Sequence, residues 1–153
     1  MGTTQVSQPN ETIVTALNKV LADYQVLYMK LRNYHWNVDG PQFFKLHEKF
    51  EELYNETADK VDEVAERILS VGGRPLSTLR ESLEVSSLQE DPQPGDANDM
   101  VSKLIADYQG INQKLVSLID EAEKAGDRAT ANLLDGFNDE QEKTLWMLRA
   151  YLA

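Results

Sequence analysis

The chain has 153 residues, enough for one domain with a sizeable core, and 41% hydrophobic residues mark it as globular. Its 26 acidic residues outnumber 15 basic ones, so the net charge of −11 attracts cations and repels phosphate backbones unless a local basic arm compensates. The absence of cysteine excludes a disulfide framework and thiolate metal ligation, and agrees with a reducing compartment. With no leader-like start and no apolar run near the ~18 residues of a membrane span, the sequence points to a cytoplasmic protein.

Residues 1–10 are polar and read as a mobile tail before a domain over residues 11–153. Asn10 or Thr12 is positioned to cap a first helix, whose apolar stripe runs Ile13, Leu17, Val20, Leu21, Tyr24, Leu27, Leu31 until Gly40-Pro41 stops it. A second helix starts near Gln42, with Phe43, Leu46, Phe50, Leu53, Val61, Val64 and Ile68 on one face, and ends at Gly72-Gly73. From Gly73 to about Ala97 the periodicity fails; the segment STLRESL reads as a short helix inside this long connection. A third helix carries Met100, Leu104, Tyr108, Ile111, Leu115 and Leu118; KAGDR is a tight turn; a fourth carries Leu134, Phe137, Leu145 and Leu148. Four long helices joined short, long, short give an all-α, ferritin-like four-helix bundle, the long crossover making helices two and three parallel.

The only two histidines, His35 and His47, flank the Gly40-Pro41 break. Neither belongs to a Glu-x-x-His pair: Arg32 precedes the first by three residues and Phe44 the second. That disfavours a metal site inside a single bundle. Asp62 and Glu66 share a face of the second helix at i, i+4. His47 lies 15 residues before Asp62, which is within ~60° of the same face but ~22 Å along the axis, too far for one metal within one chain. Two readings stay open. The histidines are polar groups satisfied near the core, or the second helix packs antiparallel on its own copy across a two-fold axis, so that His47 of one chain meets Asp62 and Glu66 of the other. The second reading yields two equivalent sites roughly 20 Å apart, with imidazole and carboxylate ligands suited to iron(II), manganese or zinc.

The segment NYHWNVDGPQFFKLHEKFEELYNETADKVDEVAERILSVGGRP resembles the signature of the Dps family, the miniferritins, and the similarity extends over essentially the whole chain, including the ending WMLRAYL. The resemblance implies a hollow homododecamer. Its ferroxidase centres lie at two-fold interfaces, with His35 and His47 from one subunit and Asp62 and Glu66 from its partner. It also implies iron as the metal, oxidised from Fe(II) with hydrogen peroxide in preference to oxygen and stored as Fe(III) mineral. Trp36 beside the centre is a candidate for oxidation, although ordinary interface packing explains it more simply. Asp39 and Arg67 are candidate partners orienting the ligands. Glu48, Glu51 and Glu52 form a candidate mineral-nucleation patch whose plainer reading is a solvated helix face. Asp127 and Asp135 are candidate pore residues, in a pore that Arg128 and Asn132 make less uniformly acidic.

Strong DNA binding in this family usually relies on a Lys- or Arg-rich tail. Residues 1–10 contain neither, the first basic residue is Lys19, and the chain ends RAYLA. Twelve copies would carry about −132 in charge. Weak or no DNA binding is therefore expected, the alternative being a nucleoid-associated, DNA-protecting protein with iron chemistry secondary.

Overall fold

The computed structural model describes residues 8–153; residues 1–7 of the expected tail lie outside the described residues. Five α-helices follow in order: α1 (Glu11–Asn37), α2 (Phe43–Ser70), α3 (Leu79–Val85), α4 (Ala97–Lys124) and α5 (Arg128–Leu152). No strand occurs among the described residues.

Local chemistry sets several of the helix ends. The Asn10 side chain accepts from the Ile13 N–H at 3.2 Å and caps α1. Asp96 and Asp99 form a reciprocal capping box at the start of α4. α2 closes with the Gly73 N–H donating to the Ile68 carbonyl at 2.9 Å, Gly72 taking a φ of 87°. Gly73 is required for space: a Cβ there would stand 2.7 Å from Val14 Cγ1, where α1 crosses the end of α2. α4 and α5 begin about one turn earlier than their apolar stripes suggest, because Asp96 and Asp127 supply caps ahead of the first core residue.

The long helices bury one continuous core, with Leu17, Tyr24, Leu27 and Leu31 of α1 meeting Phe50, Leu53, Val64 and Ile68 of α2, Leu104, Ile111 and Leu115 of α4, and Leu134 of α5. Pairings fix the directions. Tyr34 packs on Phe50 and Tyr28 on Tyr54, so α1 and α2 are antiparallel. Lys30 meets Asp107 and Asp23 meets Lys114, so α1 and α4 are antiparallel as well. α2 and α4 therefore run parallel, and the connection between them crosses the bundle carrying α3, the arrangement expected of a ferritin-like fold.

Candidate metal centre

The tight α1–α2 connection brings the histidines together. Gly40, at φ 94°, turns the chain with open space around it, so conformation rather than room demands glycine here. His35 in the last turn of α1 and His47 in the second turn of α2 then stack face to face, ring centroids 3.8 Å apart and planes 14° from parallel. Each Nδ1 lies against the main-chain carbonyl of the other residue: His35 Nδ1 to the His47 oxygen at 2.6 Å, and His47 Nδ1 to the His35 oxygen at 2.7 Å. A carbonyl only accepts, so both protons sit on Nδ1 and both Nε2 lone pairs are left for a ligand. One nitrogen of each ring is thus structural, and the other forms no hydrogen bond among the described residues. Phe43 stacks on His47 at 4.9 Å, and Tyr54 meets His35 edge-on at 5.4 Å.

Asp62 and Glu66 stand exposed on α2, outside the ion pairs formed among the described residues. No three His, Asp or Glu side chains among the described residues are grouped to hold a metal within the chain. His35 and His47 are therefore brought together, while the two carboxylates are not brought to them by the fold of a single chain.

The other candidates divide. Trp36 is 60% exposed, with the Arg32 guanidinium 5.6 Å from its ring. It lines a groove of about 760 Å³ between α1 and the α3 region, which includes Met29, Leu79 and Leu83. Glu48, Glu51 and Glu52 are all exposed; Glu51 accepts weakly from the Tyr54 hydroxyl at 3.3 Å and Glu52 pairs with Lys49 at 3.4 Å. Asp127 is the cap of α5, accepting from the Thr130 N–H at 3.1 Å and pairing with Arg67 at 3.2 Å. Arg67 also donates to the Thr130 hydroxyl at 3.0 Å, so its guanidinium ties α2 to the start of α5. Asp135 and Asp39 are exposed.

A polar framework inside the bundle escaped the sequence reading. The Tyr24 hydroxyl donates to Gln141 Oε1 and Gln141 Nε2 to Asn112 Oδ1, each at 2.6 Å, linking α1, α5 and α4. Lys30 and Asp107 approach to 2.6 Å at low exposure, a charge contact not aligned as a hydrogen bond. Burial raises the Asp107 carboxyl above its ordinary range, with Lys30 opposing and Asp23 and Asp91 adding to the rise. Burial and the neighbouring Glu140 carboxylate likewise raise Glu56, against the pull of Lys60. Lys60 in turn pairs with Glu140 at 3.0 Å. Charged residues inside an apolar stripe, such as Asp23, Lys30 and Lys60, were the available signal.

The ferritin-like domain family model matches residues 14–153. Over 143 residues the chain is 48% identical to DNA protection during starvation protein 2 of Bacillus anthracis, covering 94% of this chain and 98% of that protein. The chain belongs to the Dps family. General stress protein 20U of Bacillus subtilis is 45% identical, over 94% of this chain and 99% of its own length. Among solved Dps structures, that from Staphylococcus aureus superposes with a TM-score of 0.91 at 44% identity, covering 95% of this chain and 99% of that one. Dps from Listeria innocua, solved after soaking with zinc, superposes with a TM-score of 0.89 at 35% identity, covering 92% of this chain and 95% of its own.

Proposed function

We propose that this Dps protein is an iron-storage and detoxification cage that oxidises Fe(II) at centres shared between paired subunits and holds the Fe(III) product as mineral in a hollow dodecamer. The observation that carries this reading is the His35–His47 pair, whose Nδ1 atoms are tied to main-chain carbonyls while both Nε2 atoms remain available. Asp62 and Glu66 are the complementary half: exposed carboxylates outside the ion pairs formed among the described residues, which a second copy would carry to the histidines. The apolar groove beside His35, with Trp36, Met29, Leu79 and Leu83 exposed, suits burial against another copy. Two imidazoles and two carboxylates make a mixed nitrogen and oxygen set that takes iron(II), and also manganese or zinc as substitutes.

Iron is the substrate. Two Fe(II) give up one electron each to hydrogen peroxide, which with two protons becomes two waters. Paired delivery of electrons avoids release of hydroxyl radical; two electrons complete the reduction of one peroxide to water, whereas oxygen needs four, so a paired centre suits peroxide as the working oxidant. Carboxylates stabilise the harder Fe(III), so Asp62 and Glu66 pull the metal toward oxidation. Exposed Glu48, Glu51 and Glu52 serve mineral nucleation, and Asp127 and Asp135 line a route for cations.

DNA binding is weak in this reading, because a net charge of −11 per chain leaves no excess of basic groups to release counterions. A salt-sensitive gel shift at neutral pH would instead favour a nucleoid role.

The test is anaerobic loading with Fe(II), then peroxide, followed by stopped-flow absorbance of Fe(III). The wild-type protein is expected to show a fast phase consuming two Fe(II) per peroxide, lost in His35→Ala/Asp62→Ala with the cage still assembled. Equal rates in both proteins would return the histidines to a purely structural role.

A further inference from the structure

The two hydrogen bonds between His35 and His47 restrain each ring at Nδ1. A hydrogen bond tolerates a spread of lengths and angles, and the terminal torsion of an imidazole has a broad profile, so each ring keeps some freedom to tilt. Flat neighbours confine the planes further. Phe43 lies against His47 with centroids 4.9 Å apart and planes 23° from parallel, the two imidazoles stack at 3.8 Å, and Tyr54 meets the His35 ring edge-on at 74°. Phe43 is held half-buried against the core, and its ring also meets the outward Phe44 at 5.3 Å. It stands one turn before His47 on α2, so the helix itself delivers its ring to the imidazole.

We propose that Phe43 is a positioning residue for the metal centre: its ring, with Tyr54 as a second wall, locks the stacked imidazoles so that both Nε2 atoms are presented in a fixed direction before the metal arrives. The proposal rests on the reading of His35 and His47 as ligands. Productive ligand geometry tolerates only about 0.5 Å and 10–20°, so a flat wall against the ring has a direct effect on affinity. Residues that orient metal ligands typically change affinity ~10–100-fold when altered.

The experiment is anaerobic titration of the assembled protein with cobalt(II), read by its visible absorption, without oxidation. Phe43→Leu keeps an apolar side chain and removes the flat face; cobalt(II) affinity is expected to fall at least about tenfold. Phe43→Tyr restores the ring and should restore affinity. Phe44→Leu, which alters the neighbour that does not face His47, should bind as wild type. A purely structural Phe43 would lower the unfolding temperature of Phe43→Leu without moving cobalt(II) affinity, and that result overturns the proposal. His47→Ala separates the two levels: if it binds cobalt(II) as wild type does, the ligand assignment itself is wrong. If it abolishes binding while Phe43→Leu does not weaken it, the ligands stand and the positioning role falls. Should Phe43→Leu not fold, Tyr54→Leu removes the edge contact from His35 and is read in the same way.

Discussion

The Tyr34 hydroxyl donates to Asp91 Oδ2 at 2.6 Å, joining the residue next to His35 in α1 to the crossover connection 57 positions later. The same carboxylate pairs with Lys103 of α4 at 2.9 Å, and Asn33 donates to the Asp91 main-chain oxygen at 2.8 Å. The crossover is thus fastened to α1 and α4 at one point. At another, Asp23 accepts from Ser86 Oγ and the Ser87 N–H, each at 2.8 Å, and pairs with Lys114. Replacing Tyr34 by Phe keeps the ring against Phe50 and removes only the hydrogen bond. Hydrogen bonds to charged acceptors contribute about 1.5–3 kcal/mol. Since Asp91 retains Lys103, the loss should sit at the lower end, a fall of several degrees in thermal midpoint at fixed protein concentration.

Acid should loosen the same fastening. Burial alone would raise the Asp91 carboxyl, but hydrogen bonds from Tyr34 and Lys103, the Lys103 charge and the Gln93 N–H outweigh it and hold the group below its ordinary value. A depressed carboxyl contributes stability above its unfolded pKa and loses it as pH falls toward the folded value. Stability of the wild type relative to Asp91→Asn should therefore be greatest near neutral pH and shrink below about pH 4. Parallel pH-dependent melting curves for the two proteins would contradict the assignment.

Lys30 and Asp107 offer a different test, because here burial works against the charges. Asp107 is raised by desolvation, so its contribution to stability declines as pH rises from its ordinary value through the folded one. Asp107→Leu alone strands the ammonium of Lys30, whose side chain is only 7% exposed. Breaking one half of a buried pair costs about 3–5 kcal/mol. The double variant Lys30→Met/Asp107→Leu removes both desolvated charges and should recover most of that loss. A double-mutant cycle from thermal or denaturant melts measures the coupling.

Helix positions were legible in the sequence because the apolar stripes recur with helical spacing and glycine, proline or acidic caps punctuate them. Asn10, Gly40-Pro41 and Gly72-Gly73 fall where α1 and α2 begin or end. Histidine pairing across the turn was partly legible, since both histidines flank one short break. The reciprocal Nδ1 contacts were not, because they depend on how two helix ends meet in space. Arg67 shows the limit most clearly. It was a candidate partner for the metal ligands, and its contacts with Asp127 and Thr130 within the chain were not legible in the spacing. Sequence spacing gives the face of a helix, but a long side chain chooses its partner from whatever the neighbouring helix presents.

Asp127 combines two roles that substitution can separate. It caps α5 through the Thr130 N–H, pairs with Arg67, and is also a proposed pore carboxylate. Asparagine caps helices about as well as aspartate, whereas alanine loses about 0.5–2 kcal/mol at such a position. Asp127→Asn should therefore keep the helix cap, with a small stability loss from the weakened Arg67 contact, while reducing the attraction for incoming cations. Asp127→Ala should lose both. Melting temperature should thus separate the two variants, whereas initial rates of Fe(II) uptake at low ionic strength should fall in both and converge with wild type as salt screens the field. If Asp127→Asn takes up iron at the wild-type rate in low salt, Asp127 is a helix cap and α2–α5 clasp only, and the pore reading passes to Asp135 or is lost.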